Sequence, residues 1–234
     1  MTEKIKPLIV PLLPMREEIV FPGNTTPFFV GRQSSMDALD RALSGDREIF
    51  VVTQRDSSVE TPKERDLYEI GVLGSVLQVM RLPNGTVKAL FEGSRRGKLL
   101  ATKLDEKEYL AQVEPVYESE LEFDKDELED KAKKVRDLFK KYADQRKLKL
   151  GKDVLKSFKE LDAMSVSDKT ASFLKISNEQ KQKLLETLNP GIRLNKILEI
   201  LRDEMKIKQL ENKLKKEASD KFSDTKKADF LHDQ

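Results

Sequence analysis

Apolar residues fall in short runs through the first half of the chain and at helical spacing through the second. Pro7-Leu8-Ile9-Val10-Pro11-Leu12-Leu13-Pro14 is apolar but carries repeated prolines. Proline cannot donate to a sheet ladder, so this segment predicts an edge strand or an extended lead-in. Ile19-Val20-Phe21-Pro22-Gly23-Asn24 steps into a turn, and Thr26 to Arg32, bulky and β-branched, suits a strand. Met36, Leu39, Ala42 and Leu43 supply the one helical stripe of this half, with Gly45 at the expected stop. Ile49 to Gln54 predicts a short buried strand and the polar stretch Arg55 to Arg65 a loop. Tyr68 to Leu82 predicts a long strand region in which Gly71 and Gly74 mark bulges or bends. Asn84-Gly85 between apolar runs predicts a tight hairpin, since both residues tolerate positive φ. Val87 to Phe91 returns, Gly93 and Gly97 flank a further predicted turn, and Leu99 to Thr102 and Tyr109 to Val113 give two more strands. Six or seven short strands at this spacing predict a small closed or nearly closed sheet.

The second half changes period. Leu128, Ala132, Val135, Leu138, Phe139 and Tyr142 lie on one face of a helix between Glu127 and Leu148. Val154, Leu155, Phe158 and Leu161 form a second stripe, and Ser167-Asp168 reads as the start of a third helix. Ser177-Asn178-Glu179-Gln180 matches a capping box, and Asn189-Pro190 an N-cap followed by proline in the first helical position. From Pro190 the helical pattern runs to the end. Its apolar face is broad at Leu194, Ile197, Leu198 and Leu201, then thins through Ile207, Leu210 and Leu214 to a nearly all-polar stretch. Such a helix is expected to leave the body of the protein. The last residues hold no cap, so the expectation is a chain cut inside a helix.

Composition sharpens this division. Residues 1–115 hold 8 of the 9 prolines and 8 of the 10 glycines, with 33 charged residues; the remaining 119 residues hold 53. The chain is therefore expected to contain two domains, 1–117 rich in turns and 118–234 helical. Zero cysteines remove disulfides, thiolate metal sites and thiol nucleophiles, and a single histidine, His232, excludes a multi-histidine metal centre. A net charge of +2 provides no global attraction to nucleic acid or anionic lipid, and no apolar run approaches a membrane span. The N-terminus lacks the apolar core of a secretory signal, so a soluble protein of a reducing compartment, the cytoplasm, is expected.

Motifs for chemistry fail on spacing. Gly93-Ser94-Arg95-Arg96-Gly97-Lys98-Leu99 is one residue short of a phosphate-binding loop and lacks the hydroxyl that holds Mg²⁺. Glu17/Glu18 and Asp105/Glu106 have no nucleophile or metal partner, and read as solvated charge. Arg95-Arg96-Gly97-Lys98 is a small basic cluster that could meet phosphate, but its half of the chain is net negative, so nucleic acid is not the expected partner. Met15, Phe21, Phe28, Phe29 and Met80 fit core packing better than a ligand site; the competing reading is an exposed patch that grips flexible apolar segments.

Several ordered motifs resemble one family. Pro11-Leu12-Leu13-Pro14-Met15-Arg16 followed by Val20-Phe21-Pro22-Gly23, then Pro27-Phe28-Phe29-Val30-Gly31-Arg32, is similar to the amino-terminal region of Lon, the ATP-dependent protease family. So are Glu48 to Asp56, Asp66 to Val72, Leu82 to Val87, Gln180 to Thr187 and Arg193-Leu194. The resemblance implies an α+β fold: a PUA-like, mostly antiparallel β domain with one helix, then a helical bundle ending in a long protruding helix. It implies recognition of unfolded, damaged or tagged proteins, and support of a hexamer. It also implies that the ATP and Mg²⁺ sites and a Ser-Lys catalytic pair belong downstream, with no catalytic residue, cofactor or metal site here. In the family, charged residues often follow the Gly-Arg step, whereas Gln33-Ser34-Ser35 stands here. Candidate substrate contacts are Met15, Ile19, Phe21, Pro22, Phe28, Met80 and Leu82, with core packing as the alternative for each. The competing functions are a stand-alone PUA-like RNA- or protein-binding module and a scaffold that dimerises through its terminal helix.

Overall fold

The computed structural model describes residues 6–104, 109–118 and 123–232. The first five residues, the Asp105/Glu106 pair and the last two residues lie outside the described residues, as do the side chains beyond residue 218, Phe222 and His232 included. The fold is α+β. Six strands come first: β1 (Leu8–Met15), β2 (Thr25–Val30), β3 (Glu48–Thr53), β4 (Ile70–Arg81), β5 (Val87–Leu104) and β6 (Tyr109–Pro115), with helix α1 (Gln33–Ser44) between β2 and β3. Helices α2 (Lys125–Arg146), α3 (Lys152–Glu160), α4 (Ala163–Phe173), α5 (Asn178–Glu186) and α6 (Pro190–His232) follow.

The strands lie in the order β2-β5-β4-β3-β1-β6, and β6 also pairs with β5. That second pairing closes β5, β4, β3, β1 and β6 into a small barrel and leaves β2 as an extension with one free edge. All neighbours are antiparallel except β1 and β3.

Three features differ from the sequence expectations, each for a physical reason. First, β1 is not an edge strand. Leu8 to Pro11 pairs with β6, and Leu12 to Met15 pairs with β3. Each half of the strand thus has one unpaired side, which accommodates proline's missing N–H. Second, no turn separates Gly93 from Gly97; β5 runs unbroken for 18 residues. Its first stretch joins β2 to β4, and its second joins β4 to β6. The glycines serve close approach rather than reversal. A Cβ on Gly97 would lie 2.5 Å from Val113 Cγ1, and one on Gly93 would lie 2.8 Å from the Phe21 carbonyl oxygen. Third, α4 begins at Ala163, where the Asp162 carboxylate caps the Ser165 N–H at 2.7 Å. Ser167 and Asp168 are therefore buried inside a helix rather than at its start.

Other signals read as expected. Gly45 ends α1. Register shifts in β4 fall at Leu73/Gly74 and Val76/Gln78. In the Asn84-Gly85 hairpin only Gly85 takes positive φ, 82°, and the Leu82 N–H donates to the Thr86 carbonyl at 2.8 Å. Ser177 and Gln180 form the capping box, and Asn189 Oδ1 accepts the Ile192 N–H at 3.0 Å at the start of α6. The bundle core stacks Phe139 on Phe158, centroids 4.8 Å apart, with Phe173 beside them. Leu194, Ile197, Leu198 and Leu201 of α6 are buried, while Ile207, Leu210 and Leu214 are exposed. Among the described residues no helix is long and apolar enough to cross a membrane.

Barrel closure makes a specific demand on Gly74, whose added Cβ would lie 2.1 Å from the Glu92 carbonyl oxygen and 2.6 Å from the Phe91 ring. Backbone cannot yield as a flexible side chain does. Gly74→Ala is expected to cost about 3 kcal/mol, at the upper end of ordinary overpacking, read as a lower midpoint in urea denaturation. Gly151→Ala, where nothing lies within 4 Å, is expected to leave the midpoint nearly unchanged.

Candidate functional site

Alternation along β2 decides which face each aromatic residue takes. Phe28 and Val30 point inward, where the Phe28 ring tilts against Phe91 at 6.0 Å between centroids. Thr25, Pro27 and Phe29 therefore point outward. Pairing carries this outward row across three strands: Phe29 lies opposite Lys88 of β5, and Lys88 lies opposite Met80 of β4. Phe29 is 65% exposed and Met80 52%. The Lys88 ammonium sits 6.0 Å from the centre of the Phe29 ring. One rung further, Pro27, Leu90 and Gln78 are aligned, and the adjoining bulge leaves Leu77 exposed. Pro27 blunts the free edge of β2 against strand addition, so this surface offers side chains rather than a backbone ladder.

Phe29 also lines a groove of about 420 Å³ between the end of β1, the loop Arg16 to Glu18, and the start of α1 at Arg32 and Ser35. The Arg32 guanidinium is held by its Nη2, which donates to Gln54 Oε1 at 2.5 Å. Gln54 is itself fixed, since its Nε2 donates to the carbonyls of Asp56 and Val59 at 3.2 and 2.9 Å. Arg32 Nη1 is withdrawn from solvent and has no hydrogen-bond partner among the described residues. Arg16, by contrast, pairs with Glu60 at 2.9 Å. Burial first, and then the cation of Arg16, lower the pKa of Arg32 from its ordinary value; Tyr109 and Glu60 only partly oppose this.

A buried polar joint ties the barrel to the helices. Arg96 of β5 makes a two-pronged pair with Asp168 of α4, at 2.6 and 2.8 Å, and donates to the Leu185 carbonyl at 2.8 Å. Arg193 of α6 donates twice to Glu118, at 2.7 and 3.1 Å, and to Ser167 Oγ at 2.7 Å. Glu118 also accepts from Arg96. Burial alone would lower the Arg96 pKa, but the charges and hydrogen bonds of Asp168 and Glu118 outweigh it and raise the value. Gln182 Nε2 adds a bond from α5 to the Ile70 carbonyl at 2.9 Å.

Of the residues singled out by sequence, Met80 is exposed on the outward face, while Ile19, Pro22 and Leu82 are half-buried. Met15, Phe21 and Phe28 are core residues. Phe21 and Phe28 are fully enclosed and are corrected to packing positions, while Met15, 8% exposed, packs in the core and also lines the groove. The basic cluster Arg95-Arg96-Gly97-Lys98 also dissolves as a phosphate-binding feature. Arg96 is buried in the joint, and Arg95 pairs with Glu48 at 2.7 Å. Sequence reasoning placed Phe29 in the core; the outward position of Pro27 two residues earlier is the signal that would have reversed this. Arg32 carried no local signal, because its unmet Nη1 donor depends on neighbours distant in the chain.

A small barrel joined to a helical bundle, with apolar side chains turned outward from its sheet, has the build of a binding domain. The chain belongs to the Lon family: residues 9–203 match the model of the ATP-dependent protease La (LON) substrate-binding domain. It is 35% identical over 226 residues to Lon protease 1 of Syntrophobacter fumaroxidans, covering 96% of this chain and 27% of that protein. It is 33% identical to the Lon protease of Aquifex aeolicus, over 96% of this chain and 28% of that one. The chain thus spans little more than a quarter of these relatives, and the catalytic protease domain is not part of it. The N-terminal domain of the Mycobacterium avium complex Lon protease has the same fold, with a TM-score of 0.69 at 23% identity, covering 84% of this chain and 99% of that one. A Lon N-terminal domain protein from Xanthomonas campestris gives 0.58 at 16% identity, over 82% and 97%.

The joint is expected to respond sharply to loss of one partner. Asp168→Ala leaves two buried guanidinium groups sharing the single carboxylate of Glu118 and should cost about 3–5 kcal/mol in urea denaturation. Asp40→Ala, which removes the exposed partner of Arg81, should cost at most about 1 kcal/mol.

Proposed function

We propose that this chain recognises unfolded, damaged or degron-tagged proteins for a Lon-type protease, and that the outward row of Phe29, Lys88 and Met80 is the contact surface. The observation that carries this reading is the exposure of two large apolar side chains in register on a sheet of a substrate-binding domain. Methionine adapts to partners of varied shape, and an aromatic ring offers area with little rotamer freedom to lose. Ile19, Pro22 and Leu82, half-buried nearby in sequence, are secondary contacts. The surface is shallow, so affinity per copy is low, and several copies on a ring supply avidity.

The rest of the reading concerns the parent protein. Residues 1–117 act as the substrate-facing domain and 118–234 as its support and connection. ATP and Mg²⁺ serve a downstream ATPase module in the cytoplasm, and captured chains pass to a Ser-Lys protease domain. Exposed Ile207, Leu210 and Leu214, three and four residues apart on α6, support association with neighbouring subunits of a hexamer.

Two measurements test these parts. Replacing Phe29 and Met80 together by serine should weaken binding of a reduced, alkylated and permanently unfolded protein about tenfold in fluorescence anisotropy, with the thermal midpoint retained. Unchanged binding would remove the face from the reading. Leu210→Ser with Leu214→Ser should lower the average mass in sedimentation velocity at high concentration. An identical mass distribution would count against assembly through α6.

A further inference from the structure

Phe29 belongs to two surfaces at once: the apolar row across β2, β5 and β4, and the groove that runs from it to Arg32. Cation and apolar surface are therefore contiguous. Lys88 sits beside the Phe29 ring within the row, and Arg32 lines the groove together with Phe29. Among the described residues Arg32, like Arg47 and Arg55, has no carboxylate within 4 Å, but of these three it alone has a guanidinium nitrogen out of solvent with no acceptor. Arg81, Arg95, Arg96, Arg136, Arg146 and Arg193 each have a carboxylate within 4 Å. Arg32 donates to the neutral amide of Gln54, Glu60 acts on it only from beyond ion-pair distance, and among the described residues its Nη1 is out of solvent with no acceptor. The residue is half-buried, and a guanidinium donor out of solvent with no acceptor calls for an explanation. The groove also holds Arg16, Glu17 and Glu18; Arg16 pairs with Glu60, and the Glu18 carboxylate lies near Lys181. Those carboxylates do not pair with Arg32.

We infer that Arg32 receives the free C-terminal carboxylate of an extended apolar peptide, whose preceding side chains lie along Phe29 and Met80. The occupant is a chain end because the groove has the volume of a small-ligand pocket, roughly 300–1,000 Å³ in general, too small for a folded surface. Guanidinium and carboxylate match as a planar, two-pronged pair, and charge complementarity selects an anion over a neutral end. The first turn of α1 adds to this, since it has no side-chain cap and no acidic residue. The inference rests on the proposed capture of unfolded segments by this face and gives that capture a direction, with tails engaged end first.

The test uses the 234-residue chain and three fluorescein-labelled ten-residue apolar peptides of one sequence: a free acid, a C-terminal amide, and the amide with glutamate at its penultimate position. Fluorescence anisotropy should place the acid about tenfold tighter than the amide, with the glutamate peptide close to the amide. Arg32→Gln should remove the preference for the acid while leaving amide binding intact. Met80→Ser should weaken all three alike. Equal binding of acid and amide by the unaltered chain overturns the inference even if Arg32→Gln fails to fold. So does a preference for the acid that survives Arg32→Gln, and so does a glutamate peptide that binds as tightly as the acid. Failure of all three peptides to bind overturns the proposed capture itself, whereas equal binding that remains sensitive to Met80→Ser overturns only the terminal specificity.

Discussion

Two guanidinium groups and two carboxylates, withdrawn from water between β5, α4 and α6, set how the barrel meets the bundle. Arg96 reaches Asp168 and Glu118; Arg193 reaches Glu118 and Ser167. Charges balance within the cluster, and backbone carbonyls of Leu185, Thr187 and Leu188 take up remaining donors. Such a cluster adds little net stability over a well-packed apolar substitute, because desolvation offsets much of the attraction. Its geometry is nevertheless directional in a way that apolar packing is not. The same four side chains cannot be satisfied at a different angle between strand and helices.

That constraint passes to the surface through β5. This one strand carries Arg96 at the joint, Gly93 and Gly97 where backbone and side chains crowd, and Lys88 and Leu90 on the outward face. Lys88 of the proposed contact row and Arg96 of the joint are thus parts of a single 18-residue strand. A rigid sheet presenting adaptable side chains suits the capture of varied unfolded segments. Conformational freedom is confined to the ligand and to side chains such as Met80, and the platform itself does not have to be ordered on binding.

On the proposed reading, the outward face and the groove would divide recognition between two kinds of interaction. Apolar contact on Phe29 and Met80 is undirected and tolerant of sequence. A guanidinium at the groove wall is directional and sensitive to charge. Together they would let a single small domain combine broad capacity with a preference for chain ends.

Much was legible from the sequence alone, and the reason is locality. Helix stripes, the Ser177-Gln180 capping box, the Asn189-Pro190 start and the Asn84-Gly85 hairpin depend on neighbours within a few residues, so sequence spacing determines them. The α+β division and the family resemblance follow from the same local record. Tertiary structure alone decided what depends on distant partners. Adjacent Phe28 and Phe29 differ in fate only through the register of β2 on β5. The prolines of β1 fit because its pairing passes from β6 to β3 midway. Arg95-Arg96-Gly97-Lys98 reads as an exposed basic turn until Glu48 and Asp168, 47 and 72 residues away, are brought against it. Arg32 stands out only in space, where its Nη1 is left out of solvent with no acceptor among the described residues. Burial and charge pairing are properties of the whole surface that folding encloses, and residues far apart in the chain meet only when that surface closes.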